Sequence, residues 1–167
     1  VANALDYLAE EEPELESVGI FGIQKMTLLD YPGKIASTLF TGGCNFRCPF
    51  CQNSDLVFLA ENMAQIPKEE LFDFLNRRQG ILEGICISGG EPLLQIDFLL
   101  ELFTKAKQKG IHTVIDTCGQ PFTREEPFFS KFQELMKYTD LLLLDLKEIN
   151  PERHKNITGF DNANILD

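Results

Sequence analysis

Residues 140–146 read Asp-Leu-Leu-Leu-Leu-Asp-Leu, an unbroken apolar run with a carboxylate on either side of its four leucines. Such a run, without the alternation of a half-solvated strand, suits a parallel strand covered on both faces. The stretch before it carries Phe128, Phe132, Leu135 and Met136 at helical spacing, which predicts a helix starting at Thr123 or Glu125. Ile111 to Asp116 is the preceding strand. Asp97 to Lys109, with Leu99, Leu102, Phe103 and Ala106 on one stripe, is the helix before that. Gly84 to Ser88 is a further strand, closed by Gly89-Gly90. Pro67 suits the first position of a helix that runs to Arg78 and stops at Gly80. Ile35 to Thr41, rich in β-branched and aromatic residues, is the first strand of the set, entered through the turn Tyr31-Pro-Gly33.

Strands that alternate with helices predict parallel βαβ units with right-handed crossovers. A closed barrel of eight such units needs roughly 200–250 residues, and this chain has 167. The expected fold is therefore α/β, a partial, open βα barrel of parallel strands, truncated at its C-terminal end. Asn150 to Asp167 leave room for one more helix and the start of a strand. Ahead of this domain, which is expected to span residues 18–167, Glu10, Glu11, Glu12, Glu14 and Glu16 mark residues 1–17 as an acidic, solvated arm.

Hydrophobic residues make up 44% of the chain, enough for a sizeable core, and the formal net charge is −11. A surface of that sign repels phosphate, which argues against a sequence-independent nucleic-acid binder. No apolar run approaches the length of a membrane span, and Val1 to Glu16 lack the basic and apolar regions of a signal peptide. The five cysteines stand at 44, 48, 51, 86 and 118. An odd number, three of them crowded together, argues for a cytoplasmic metal site rather than a disulfide framework.

Those three occur in Cys44-Asn-Phe-Arg-Cys48-Pro-Phe-Cys51, a CxxxCxxC loop directly after a strand. Three thiolates so close repel one another unless a metal neutralises them. They can fill three corners of a cubane 4Fe-4S cluster, which normally takes four cysteines. One iron is then left open to a ligand. A zinc site would need a fourth donor, and His112 and His154, which read as surface residues, lie far along the chain. Cys86 and Cys118 read as structural, and an iron–sulfur electron carrier or a zinc module remains the alternative of another class.

CxxxCxxC with an aromatic residue, Phe50, before the last cysteine resembles the radical S-adenosylmethionine (SAM) superfamily. So does Ser88-Gly-Gly-Glu-Pro92 after the following strand. Ile115-Asp-Thr-Cys-Gly119, Leu144-Asp-Leu-Lys147 and Asn156-Ile-Thr-Gly-Phe160 narrow the resemblance to the activases of glycyl-radical enzymes. It covers about Gly19 to Asp167. The resemblance implies a 4Fe-4S cluster on Cys44, Cys48 and Cys51, and SAM held by Phe50, Gly89, Gly90, Glu91, Asp116 and Lys147. It also implies a monovalent cation at Asp116, Thr117 and Asp145, for which an ion pair with Lys147 is the plain alternative. The implied reaction is reductive cleavage of SAM and removal of a hydrogen from a glycine of a partner enzyme, with no catalytic side chain required. Implied partners are a glycyl-radical enzyme and an electron donor such as flavodoxin or ferredoxin. Pyruvate formate-lyase is the first choice of target. Met26-Thr-Leu-Leu-Asp-Tyr-Pro-Gly-Lys34 looks more like the activating proteins of anaerobic ribonucleotide reductase, since formate-lyase activases more often read DGPGIR there. Gln52 likewise stands where many of them carry His.

Overall fold

The computed structural model describes residues 19–59 and 63–167, so the acidic arm expected at 1–17 and the expected domain start at 18 lie outside the described residues. Strands β1 (Ile20–Thr27), β2 (Ala36–Thr41), β3 (Gly84–Gly89), β4 (His112–Thr117) and β5 (Leu141–Leu144) form one sheet in that spatial order. Strands β2 to β5 are parallel, and β1 runs antiparallel along the β2 edge. The helices are α1 (Ser54–Phe58), α2 (Lys68–Arg77), α3 (Ile96–Gln108), α4 (Phe128–Met136), α5 (Pro151–Thr158) and α6 (Ala163–Leu166). This is the open, partial βα barrel expected from the alternation of elements. No helix among the described residues is long and apolar enough to cross a membrane.

Register brings the C-terminal ends of the parallel strands to one rim: Thr41 pairs with Gly89, and Thr117 with Leu144. The period of two then sorts the side chains. Ile85, Ile87 and Ile115 face α2, α3 and α4 and join Leu99, Leu102 and Phe103 in the main core. Each of these fully buried side chains contributes about 1.5–3 kcal/mol. On the opposite face Ala36, Cys86 and Val114 pack with Tyr31, Leu141 and Leu143 in a smaller apolar plug. Nearer the rim the same face turns polar, with Thr38, Ser88 and Asp116 lining a cavity.

Several expectations need correction, and two elements are additional. β1 is a strand with no forecast, and α1 is likewise additional. The third long helix begins at Phe128, not at Thr123 or Glu125, because the pyrrolidine of Pro127 disfavours helical backbone at the residue before it. The leucines of β5 are not covered on both faces. Leu142 and Leu144 are 36% and 48% exposed, since β5 is the last strand of the sheet. Beyond it the described residues hold two short helices, α5 and α6, and no strand. His154, read as a surface residue, is fully buried.

Candidate active site

The site grows from two loops that leave adjacent strands and bond to each other. After β2 the chain passes through Gly42 and Gly43 into the cysteine loop, and Gly43 adopts φ +77°, a left-handed conformation open to glycine. After β3 the Gly90 N–H donates to Thr41 O at 2.9 Å and the Glu91 N–H donates to Gly43 O at 2.8 Å. The glycines make this approach possible. A Cβ on Gly89 would lie 2.9 Å from Thr41 O, and one on Gly90 would overlap the Gly43 carbonyl oxygen. Close backbone contact at these glycines is thus with the chain's own cysteine loop. Gln95 locks the same junction, its Nε2 donating to Gly42 O at 2.9 Å while its Oε1 accepts from the Gly19 N–H at 2.6 Å.

Within the cysteine loop, the Cys51 N–H donates to Cys48 O at 3.1 Å and closes a turn. The Arg47 guanidinium folds back and donates to Cys44 O and Phe46 O at 2.6 and 2.9 Å. All five cysteines are free. Burial pushes the Cys44 thiol up to about 11, helped by Glu91, Cys48 and Cys51 nearby. Burial also raises Cys48, against the pull of the Lys147 ammonium. Thiols held neutral in this way ionise when a cation arrives to take them as ligands. Among the described residues no three His, Cys, Asp or Glu side chains gather tightly around a single ion. A cubane makes no such demand, because each cysteine binds a different iron.

Every site residue expected from the sequence lines one cavity of about 630 Å³. Cys44, Cys48, Cys51 and Phe50 come from the loop after β2, Gly89 to Glu91 from the end of β3, Asp116 and Thr117 from β4, and Asp145 with Lys147 from the residues after β5. Gln24, Asp30 and Thr38 extend the lining into the β1–β2 hairpin. Glu91 is the most deeply buried of the expected residues, 1% exposed. Its Oε1 accepts from Thr117 Oγ1 at 2.6 Å and from the Leu93 N–H at 2.9 Å, and its Oε2 accepts from the Cys118 N–H at 2.9 Å. Burial raises its carboxyl, while the Cys118 thiol and those donors pull the other way. All of the donors are neutral, so Glu91 when ionised has no counter-charge among them, a costly arrangement that a bound cation would relieve.

The three residues expected around a monovalent cation already have protein partners. Asp116 Oδ2 accepts from Ser88 Oγ at 2.8 Å, Thr117 donates to Glu91, and Asp145 pairs with the Lys147 ammonium. The side chains that the sequence did not single out are Gln95, the Phe46–His154 contact and the bonding of Cys118 to Glu91. Cys118, which reads as structural in the sequence, also lines the cavity.

The profile described as "Radical SAM superfamily" matches residues 38–167. The chain belongs to the radical SAM superfamily. It is 43% identical over 151 residues to the pyruvate formate-lyase-activating enzyme of Listeria monocytogenes, covering 89% of this chain and 60% of that protein. With the protein of the same name from Streptococcus mutans it shares 44% over 146 residues, covering 83% of this chain and 54% of that one. The chain thus spans somewhat over half the length of these curated relatives. In fold it resembles Streptococcus suis SuiB, solved bound to the precursor peptide SuiA. The TM-score is 0.57 at 20% identity, over 74% of this chain and 26% of SuiB.

Proposed function

We propose that this chain carries the cluster- and SAM-binding face of a glycyl-radical-enzyme activase, with pyruvate formate-lyase as the partner it acts on. The observation that carries the reading is the convergence of CxxxCxxC and Ser88–Glu91 on one cavity that holds a buried, uncompensated carboxylate. Cys44, Cys48 and Cys51 hold three irons of a 4Fe-4S cluster and leave the fourth open. Glu91 and the Gly89-Gly90 backbone take the ammonium end of SAM, while Lys147 and Asp116 bound its other side and the Phe50 backbone meets the adenine. A monovalent cation at Asp116, Thr117 and Asp145 requires Asp145 to leave Lys147. The cavity volume lies inside the usual range of about 300–1,000 Å³ for small-molecule sites. When bound, the cluster and SAM supply one-electron reductive cleavage and hydrogen abstraction. The protein's own work is to hold both in register, exclude water and leave the rim open for a glycine-bearing loop.

The partner assignment draws support from the names of the curated relatives and from Asp116-Thr-Cys-Gly119 and Asp145-Leu-Lys147. A second reading, the activation of anaerobic ribonucleotide reductase, is favoured by Met26 to Lys34. Both need an electron donor such as flavodoxin or ferredoxin, in the reducing cytoplasm. Anaerobic reconstitution followed by measurement of iron and sulfide per chain and of SAM affinity tests the reading. About four irons per chain with SAM binding are expected. One zinc per chain, or a cluster indifferent to SAM, would overturn it. A glycyl radical signal on one candidate partner and not the other decides the target.

A further inference from the structure

Phe46, in the middle of the cysteine loop, is buried outside both apolar clusters. Its ring centroid lies 5.3 Å from that of His154, edge to face, and 6.1 Å from that of Phe160. One residue on, the Arg47 N–H donates to Thr158 O at 3.0 Å. The loop that carries the cysteines is therefore seated on α5 and the turn after it, far away in sequence.

That seat is a self-contained unit. Asn150 caps α5 by accepting from the Arg153 N–H at 3.0 Å, Pro151 follows it, and Gly159 ends the helix at φ +96°. Asn162 Nδ2 donates to Glu148 O and Ile149 O at 2.9 Å, tying the exit of α5 to its entry. His154 Nδ1 lies 2.7 Å from Phe160 O. A carbonyl only accepts, so Nδ1 carries the proton. Nε2 is buried and has no partner among the described residues. Nδ1 also lies 3.2 Å from Thr158 Oγ1, so the shorter bond to Phe160 O, with Thr158 beside it, fixes the ring against Phe46. A second strut runs through α6: Asn164 Nδ2 donates to Gln120 O at 2.5 Å, and the Gln120 side chain accepts from Asn45, the neighbour of Phe46.

We infer that residues 148–162 are a preassembled socket for the cysteine loop, with Phe46 as its plug and His154 as a positioning residue. Retention of the metal group at Cys44 and Cys48 is then coupled to the docking of α5. The inference rests on the functional reading above only for that coupling; the socket itself belongs to the protein without metal. Coupling of this kind is reciprocal, so metal loading must also steady α5.

The test is hydrogen exchange on the full chain without metal, paired with the rate of iron loss to a chelator after anaerobic loading. His154→Ala should speed amide exchange in residues 44–51 by about tenfold or more, leaving β3 and β4 unchanged. Iron loss should accelerate to a similar degree. His154→Asn, whose side-chain N–H replaces Nδ1–H, should stay close to wild type in both. Phe46→Ala approaches the contact from the loop side and should free the amides of α5. Unchanged exchange at 44–51 in His154→Ala overturns the socket, as does acceleration spread equally over β3 and β4. His154→Asn behaving like His154→Ala overturns the role of the Nδ1 bond. A wild-type chain that takes up no iron overturns the functional reading and the coupling, while the exchange comparison still decides the socket.

Discussion

Cys118 and Glu91 are joined across the rim: the Cys118 N–H donates to Glu91 Oε2 at 2.9 Å. The two residues leave neighbouring strands β3 and β4, so the pair staples the loop that supports the cysteines to the loop that ends in Gly119. Thr117 reinforces it, donating to Glu91 and accepting from the Gly119 N–H at 2.9 Å. Glu91 therefore serves the structure before any ligand arrives, and its charge is what remains available to a cationic ligand.

Glu91→Gln separates these roles. The amide keeps the volume but loses the charge, and its NH2 group must oppose at least one of the donors now aimed at the carboxylate. Leaving one buried donor unsatisfied costs about 1–3 kcal/mol, which urea unfolding of the metal-free protein would register. Loss of the anion should weaken SAM binding by about tenfold or more, given the strength of charge-assisted bonds. Calorimetry on the loaded protein measures it, and unchanged affinity would remove Glu91 from the SAM site.

Cys44→Ala, Cys48→Ala and Cys51→Ala should each abolish most iron uptake, while Cys86→Ala should retain it. Cys86 lies mid-strand in the apolar plug, 1% exposed, with its thiol pushed up to about 12 chiefly by burial. Its replacement should cost about 1 kcal/mol of stability, as for a small buried apolar group. Iron per chain, measured after anaerobic loading, decides between the two groups. Equal loss in Cys86→Ala and Cys48→Ala would show that the ligand set is wrong.

At Gly89 and Gly90 the nearest neighbours of an added Cβ are the chain's own backbone atoms at residues 40–43. A Cβ on Gly90 meets the Gly43 carbonyl, so Gly90→Val must push the cysteine loop away. Iron content and SAM affinity should fall together, with a stability loss of about 1–3 kcal/mol from overpacking. Iron content that survives while SAM affinity alone falls would mean that the loop yields without disturbing the cysteines.

Legibility in the sequence followed locality. β2, β3 and β4 announce themselves through apolar runs, and CxxxCxxC and Ser88–Glu91 are compact motifs at strand ends, so the residues that line the cavity lie in short local patterns. β1 escaped because Ile20–Thr27 mixes Gly, Gln and Lys into a mostly half-exposed segment, and only its pairing with β2 makes it a strand. His154 sits among Glu152, Arg153, Lys155 and Asn156, a polar context that reads as surface. Its burial comes from Phe46, with which no local pattern connects it. Gln95 and the bonds of Glu91 to Thr117 and Cys118 are likewise long-range pairings, invisible to periodicity.

At the end of the sheet away from the rim, Asp140 gathers one strand junction. Its Oδ2 accepts from the Thr113 N–H at 2.8 Å and pairs with the Lys107 ammonium, with His112 Nδ1 at 3.5 Å. Burial by itself would raise this carboxyl. Lys107, the Thr113 N–H and His112 outweigh that and hold it below its ordinary 3.8. A depressed acid stabilises the fold when ionised. Its contribution is complete above 3.8 and drains away as the pH falls through the lower value of the folded state. The group is partly exposed, so the whole network is worth about 1–2 kcal/mol rather than the larger figure of a buried pair. Asp140→Asn should therefore lower stability by that amount at pH 7, and the gap between variant and wild type should narrow steadily below pH 3.8. Urea unfolding of the metal-free protein at a series of pH values measures the gap. A gap that persists undiminished in acid would mean that the carboxylate charge contributes nothing and that shape alone holds the junction.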